Sequence, residues 1–134
     1  MPFIVFRDDA RRHLEVTASG ALTFDDFTAI FRLRGGELRD YTLLLDASAA
    51  TANVSTEELR AAADTAKQAA IVQGPRAQLA VVALDDSVFG LGRMYERLCE
   101  RAGLDTIRVF RDRGEAERWL AARPAAEHPD TGAR

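Results

Sequence analysis

Apolar residues in this chain fall into runs of two periods that alternate along the sequence. Residues 3–7 (FIVFR) and 13–18 (HLEVTA) are short and rich in β-branched and aromatic side chains, and the polar stretch Asp8-Asp9-Ala10-Arg11-Arg12 separates them. This spacing predicts an opening β-hairpin whose second strand ends at Ser19-Gly20. Thr23, followed by Asp25 and Asp26, predicts a helix start, because the hydroxyl can accept an orphan backbone N–H while the carboxylates sit at the positive end of the helix dipole. Phe27, Ile30 and Phe31 supply its buried stripe, and Gly35-Gly36 stops it. Residues 42–46 (TLLLD) and 78–84 (QLAVVAL) are apolar without alternation, as expected of strands covered by helices on both faces.

Between those strands, Ser55-Thr56-Glu57-Glu58 has the capping-box pattern, with Ser55 as N-cap and Glu58 three positions on. The helix it opens runs towards Gln73, with Leu59, Ala62, Ala63, Ala66 and Ala70 on its inner face, and Gly74-Pro75 breaks it. After the strand at 78–84, Val88, Leu91, Tyr95, Leu98, Cys99 and Ala102 recur at helical spacing up to Gly103. Residues 106–110 (TIRVF) read as the last strand, and Asp112 as the cap of a short helix anchored by Trp119 and Leu120. The order is β-β-α-β-α-β-α-β-α, an α/β fold with a mixed sheet, parallel after the opening hairpin because helical crossovers join the later strands. Residues 1–123 are expected to form one domain, and the apolar-poor stretch 124–134 a disordered tail.

Composition narrows the classes. A chain of 134 residues with 47% hydrophobic content can build one packed core but not two ordinary domains. Its 18 Lys and Arg against 21 Asp and Glu give a formal charge of -3, which argues against nonspecific nucleic-acid binding. The sequence has no stretch of roughly 20 apolar residues and no signal-peptide pattern at MPFIVFRDD, so a soluble, cytoplasmic protein without an integral membrane segment is expected. Cys99 is the sole cysteine, which excludes an intramolecular disulfide and fits a reducing compartment.

The element order, together with Ser19-Gly20-Ala21-Leu22-Thr23, Leu44-Leu45-Asp46-Ala47-Ser48, the FGLGRMYE run from Phe89, and RVFRD with Trp119-Leu120, resembles the STAS-like superfamily. This is the fold of bacterial anti-sigma-factor antagonists, and the likeness is closer to its SpoIIAA-like branch of small uncharacterised proteins. The resemblance spans roughly residues 3–122. It implies a regulatory or binding module rather than an enzyme, and some SpoIIAA-like members look related to lipid-binding CRAL-TRIO domains. STAS antagonists carry a phosphorylatable Ser, commonly within Asp-Ser-Ser-Gly, where the loop after the third strand meets the second long helix. Ser55 and Thr56 stand at that place here, with Val54 in place of the acidic residue and Glu57 in place of the glycine. Phosphate at a helix N-terminus is favourable, but Glu57 and Glu58 would repel it, and an N-cap is the simpler role for Ser55.

Candidate chemistry gathers where the strand at 78–84 meets the following helix. Asp85 and Asp86 could share a proton or grip a cation, or could simply favour the helix N-terminus. Gly90 and Gly92 are a fragment of G-x-G-x-x-G, but Tyr95 stands at the third glycine, so close packing is expected rather than a dinucleotide. Arg93 could hold a carboxylate or phosphate with its planar fork, or pair with Glu96 on the helix surface. Cys99 reads as a core residue, and neither His13 nor His128 is placed for a catalytic triad. The two histidines and one cysteine lack ligand spacing, so neither a metal nor another cofactor is expected.

Three readings follow. The leading one is a non-enzymatic cytosolic binding or regulatory module whose site lies at the carboxyl edge of the sheet, in the loops 47–55 and 85–93. Its candidate residues are Ser48, Asp85, Asp86, Phe89, Gly90, Gly92, Arg93 and Met94, and its ligand a small amphipathic anion such as a lipid or acyl chain: Phe89 and Met94 would give apolar contact while Arg93 held the head group. The second is a protein-interaction module or homodimer using the helix from Val88 and the exposed side of the opening hairpin. The third is an enzyme with Asp85 or Asp86 as general base, which would need a pocket and a raised carboxylate pKa.

Overall fold

The computed structural model describes residues 3–33, 36–73, 77–104 and 106–122. Strands β1 (Phe3–Asp8), β2 (His13–Leu22), β3 (Thr42–Ala52), β4 (Leu79–Val82) and β5 (Ile107–Phe110) form one five-stranded sheet in the order β1-β2-β3-β4-β5. The β1/β2 pair is antiparallel and every later pair is parallel. Helices α1 (Phe24–Leu33), α2 (Thr56–Gln73), α3 (Asp86–Arg101) and α4 (Arg113–Ala122) complete the fold, so the predicted mixed α/β order is the one observed.

Caps set the helix starts as the sequence implies. Thr23 and Asp26 bond reciprocally at the head of α1, and Ser55 and Glu58 do so at the head of α2, where the Ser55 N–H donates to Glu58 Oε1 at 2.9 Å and the Glu58 N–H to Ser55 Oγ at 3.1 Å. Asp112 accepts the Glu115 N–H at 2.9 Å and opens α4. Gly103, at φ +82°, lies beyond the C-cap of α3, a backbone conformation that L side chains rarely adopt.

The helices cover the two faces unequally. Leu14, Val16, Leu43, Leu45, Leu79 and Val81 point to the face packed by α1, α2 and α3, where Ile30, Leu59, Ala62, Val88, Tyr95 and Cys99 meet them. Leu44, Ala80 and Val82 point to the opposite face, which α4 covers with Ala116 and Leu120 while Trp119 tilts against Phe110. Burying a leucine such as Leu44, 1% exposed, contributes roughly 1.5–3 kcal/mol, so continuous apolar runs on β3 and β4 are what two covered faces demand.

Strand lengths depart from expectation in two places. β2 passes through Ser19-Gly20 to Leu22, and β3 runs past Asp46 to Ala52. The two strands pair along this whole length because β3 takes an extra residue between the Thr17↔Asp46 and Ser19↔Ala49 pairs, a bulge that restores the in-out alternation and returns Ala50 to the core. Gly20, at φ +79°, bends within the strand instead of ending it. β4 is conversely shorter, and Leu84 beyond it is 57% exposed. The expected breaks at Gly35 and Gly74-Pro75 and the expected tail at 124–134 lie outside the described residues.

Candidate functional site

The turn from β4 into α3 is built on two aspartates with different partners. Asp85, in extended backbone, accepts the N–H of Ser87 at 3.0 Å and of Val88 at 3.3 Å and bonds the Ser87 hydroxyl. That hydroxyl bond, with the cap N–H groups, holds the Asp85 carboxyl below its ordinary value. Asp86 instead pairs with Arg111 at 2.8 Å. The two carboxylates thus have different hydrogen-bond partners, and at Asp85 the lowered pKa is the opposite of what a general base there would need.

Arg111, at the end of β5, organises this corner. Its guanidinium donates to the Leu84 carbonyl at 2.8 Å and to Asp86, and lies 4.1 Å over the centroid of the Phe89 ring. Sequence spacing hides this residue, because it joins Phe89 only once β5 has paired with β4.

Helix α3 distributes the remaining candidates over different faces. Arg93 lies 3.7 Å from Glu96, whose other oxygen accepts the Val109 N–H at 3.2 Å and so ties α3 to β5. Met94 is exposed and Gly90 faces open space. Gly92 does not: a Cβ there would stand 2.9 Å from Val109 Cγ2, so the glycine lets the helix lie against the strand. Phe89 is half-buried under the Arg111 guanidinium, whereas Arg93 and Met94 reach solvent. Ser48 is further removed, because it lies within β3 and not in a loop, and it donates to Asp46 on the α4 side of the sheet. Ser55, for its part, spends its hydroxyl in the α2 capping box, while Thr56 is exposed.

The space itself lies one helix face away. An apolar cavity of about 60 Å³ runs between the sheet and the three-helix layer, lined by Phe27 and Ile30 of α1, Leu59 and Ala62 of α2, and Val88, Leu91, Gly92 and Tyr95 of α3, over Leu45, Ala47, Val81 and Ile107 of the sheet. Its lining is almost wholly apolar, so it would stay dry or take an apolar guest. Of the sequence candidates, Gly92 is on its wall.

A polar cluster on the other face went unrecognised in the sequence. Arg113, at the start of α4, donates to Glu15 of β2 at 2.6 Å, to Asp46 of β3 at 3.0 Å and to Glu117 one turn on at 2.9 Å. The bonds to Glu117 and then Glu15 raise the Arg113 pKa further. Burial opposes ionisation of Asp46, but the Ser48 hydroxyl and N–H and the Arg113 guanidinium outweigh it, leaving that carboxyl below its ordinary value. Beside the cluster, a polar recess of about 480 Å³ is lined by Arg11, His13, Glu15, Thr42, Leu44, Glu117, Leu120 and Ala121. His13 is buried there with Nδ1 2.8 Å from Thr42 Oγ1, and desolvation, then Arg11, depresses its pKa. The i,i+4 pair Arg113/Glu117 was the local signal available; Glu15 and Asp46 join it only through sheet pairing.

No group of three or more His, Cys, Asp or Glu among the described residues could hold a metal ion, and no helix among them is long and apolar enough to cross a membrane.

No protein-family model and no curated protein matches the chain. Among solved structures, it is similar to an uncharacterised protein of the DUF3478 family with a SpoIIAA-like fold from Shewanella loihica PV-4. The two share 18% identity over 88% of this chain and 91% of that one, with a TM-score of 0.51. The fold is therefore SpoIIAA-like, as the sequence resemblance implied.

Proposed function

We propose that this SpoIIAA-like domain is a non-enzymatic binding module whose ligand is a small amphipathic molecule with an acyl or similar chain. The observation that carries this reading is the apolar cavity between α1, α2, α3 and the sheet. A void of this kind forgoes packing contacts along its lining, which a guest restores. At about 60 Å³ it is well under half of the roughly 150 Å³ that takes a benzene, so it accepts only the end of a chain as it stands, and a longer chain would require α1, which contributes Phe27 and Ile30, to move outward. The nonenzymatic part of the reading is supported by the partnered state of Asp85 and Asp86, which are tied to Ser87 and Arg111.

The head group would sit where a chain leaves the cavity along α3. Arg93, one residue beyond the wall residue Gly92, pairs with Glu96 at 3.7 Å and would exchange that contact for an anionic head group. Titration with a fluorescent fatty acid tests the reading. Saturable binding by the wild type, lost in Ala62→Leu and weakened in Arg93→Ala, is the expected result; absence of binding, or equal binding by all three proteins, contradicts it.

A further inference from the structure

We infer that the outer edge of β1 is a self-pairing interface, and that two copies of this chain join there antiparallel across a two-fold axis to make one continuous sheet.

The backbone is set for it. The Thr42 N–H donates to the Arg12 carbonyl, so in β2 the even positions turn their backbone groups to β3, and His13, Glu15 and Thr17 turn theirs to β1. Their register partners Asp8, Phe6 and Ile4 are thereby engaged. Phe3, Val5 and Arg7 are left presenting N–H and C=O groups at the outer edge, since β1 ends the sheet formed by the described residues.

The side chains lack the features that usually guard such an edge. Ile4 is 74% exposed, Phe6 59% and Val5 49%, and the charged residues of the strand, Arg7 and Asp8, sit at its far end. The opposite edge is different: β5 is only four residues long and carries the exposed Arg108 in its interior.

Charge placement selects a second copy and fixes the register. Centred on Val5, a two-fold pairing sets Val5 opposite Val5 of the second copy, Ile4 opposite its Phe6, and Phe3 opposite its Arg7, so apolar residues meet on both faces and no charge meets its like. Centring on Arg7 or on Asp8 faces like charges with one another, centring on Phe6 sets Ile4 against Asp8, and centring on Ile4 confines the ladder to residues 3–5. In the Val5 register the outward-facing backbone groups of Phe3, Val5 and Arg7 all find partners, and directly opposed Cα atoms at Val5 would lie about 5.5 Å apart. This inference is independent of what the cavity binds.

That spacing suits a disulfide, which gives a register-specific test. The native Cys99 is buried and does not interfere. Wild-type protein should sediment at twice the chain mass at micromolar concentration. Val5→Cys should form a disulfide-linked dimer under mild oxidation about tenfold or more faster than Val72→Cys, placed on the exposed end of α2. Val5→Lys, which faces two ammonium groups across the axis, should sediment as a monomer with an unchanged circular dichroism spectrum. A wild-type monomer at all concentrations, a Val5→Cys rate no greater than that of Val72→Cys, or a folded Val5→Lys protein that remains dimeric would each overturn the inference. So would a monomer that pairs this edge only with some other protein.

Discussion

Arg113 Nη2 reaches Glu15 Oε2 at 2.6 Å across 98 positions of sequence, from the first residue of α4 to the second strand of the sheet. The same guanidinium bonds Asp46 and Glu117, so one cation holds three carboxylates and fixes where α4 lies on the sheet. Replacing Arg113 by Leu leaves Asp46, largely buried, facing Glu15 without a counter-charge. Because the partners are partly solvated, the expected loss is about 1–2 kcal/mol, less than for a fully buried pair. Arg113→Lys should recover only part of it, since a single ammonium cannot address three carboxylates in the geometry of the fork. Urea unfolding of the three proteins measures this; equal midpoints would show the cluster to be energetically idle.

The two α3 glycines should respond to alanine with opposite sign. At Gly90 a Cβ meets nothing within 4 Å, so Gly90→Ala gains helix propensity of up to about 1 kcal/mol. At Gly92 a Cβ would press on the buried, β-branched Val109 at 2.9 Å, and that overpacking of about 1–3 kcal/mol outweighs the same propensity gain. Thermal denaturation should therefore place Gly90→Ala above and Gly92→Ala below the wild type. Two shifts of the same sign would contradict the close approach of α3 to β5.

His13 should make stability pH-dependent near neutrality. Its pKa in the folded protein lies below the ordinary value of 6.5, because burial and Arg11 disfavour the imidazolium more than Glu15 and Asp8 favour it. The unfolded chain therefore binds the proton more readily, and the contribution of neutral His13 is complete above about pH 6.5 and lost as pH falls from there through the folded pKa. Comparing urea midpoints at pH 7 and pH 5 should show a smaller acid-induced loss in His13→Gln than in the wild type. An identical loss in both would assign the dependence to other groups.

How far the sequence discloses this protein differs between its fold and its site. Helix starts were legible because each is written within four residues, as at Ser55/Glu58 and Thr23/Asp26, and the parallel core was legible because TLLLD and QLAVVAL are apolar on both faces. The extension of β3 past Asp46 was not, since ASAATA has no strong strand propensity and is held by pairing with β2 through a bulge. The acidic turn drew attention to Asp85 and Asp86, yet the structure gives them to a helix cap and to Arg111. Glu15, Asp46 and Arg113 come together from three separated elements, and no local spacing could have announced them. The cavity was half visible: the alanine face of α2 signalled a close approach to the sheet, and Ala62 lies on its wall, but which face of α3 completes the wall depends on Gly92 resting against Val109.

Native mass spectrometry of protein purified without denaturation tests the central claim, that the space under α1 holds a chain-like guest. The account predicts a bound mass released on denaturation and identified as an acyl-bearing molecule, present in the wild type and absent from Ala62→Leu, whose added methyl groups occupy the cavity. A wild-type protein that carries no adduct, and acquires none when incubated with fatty acids of several chain lengths, would contradict it.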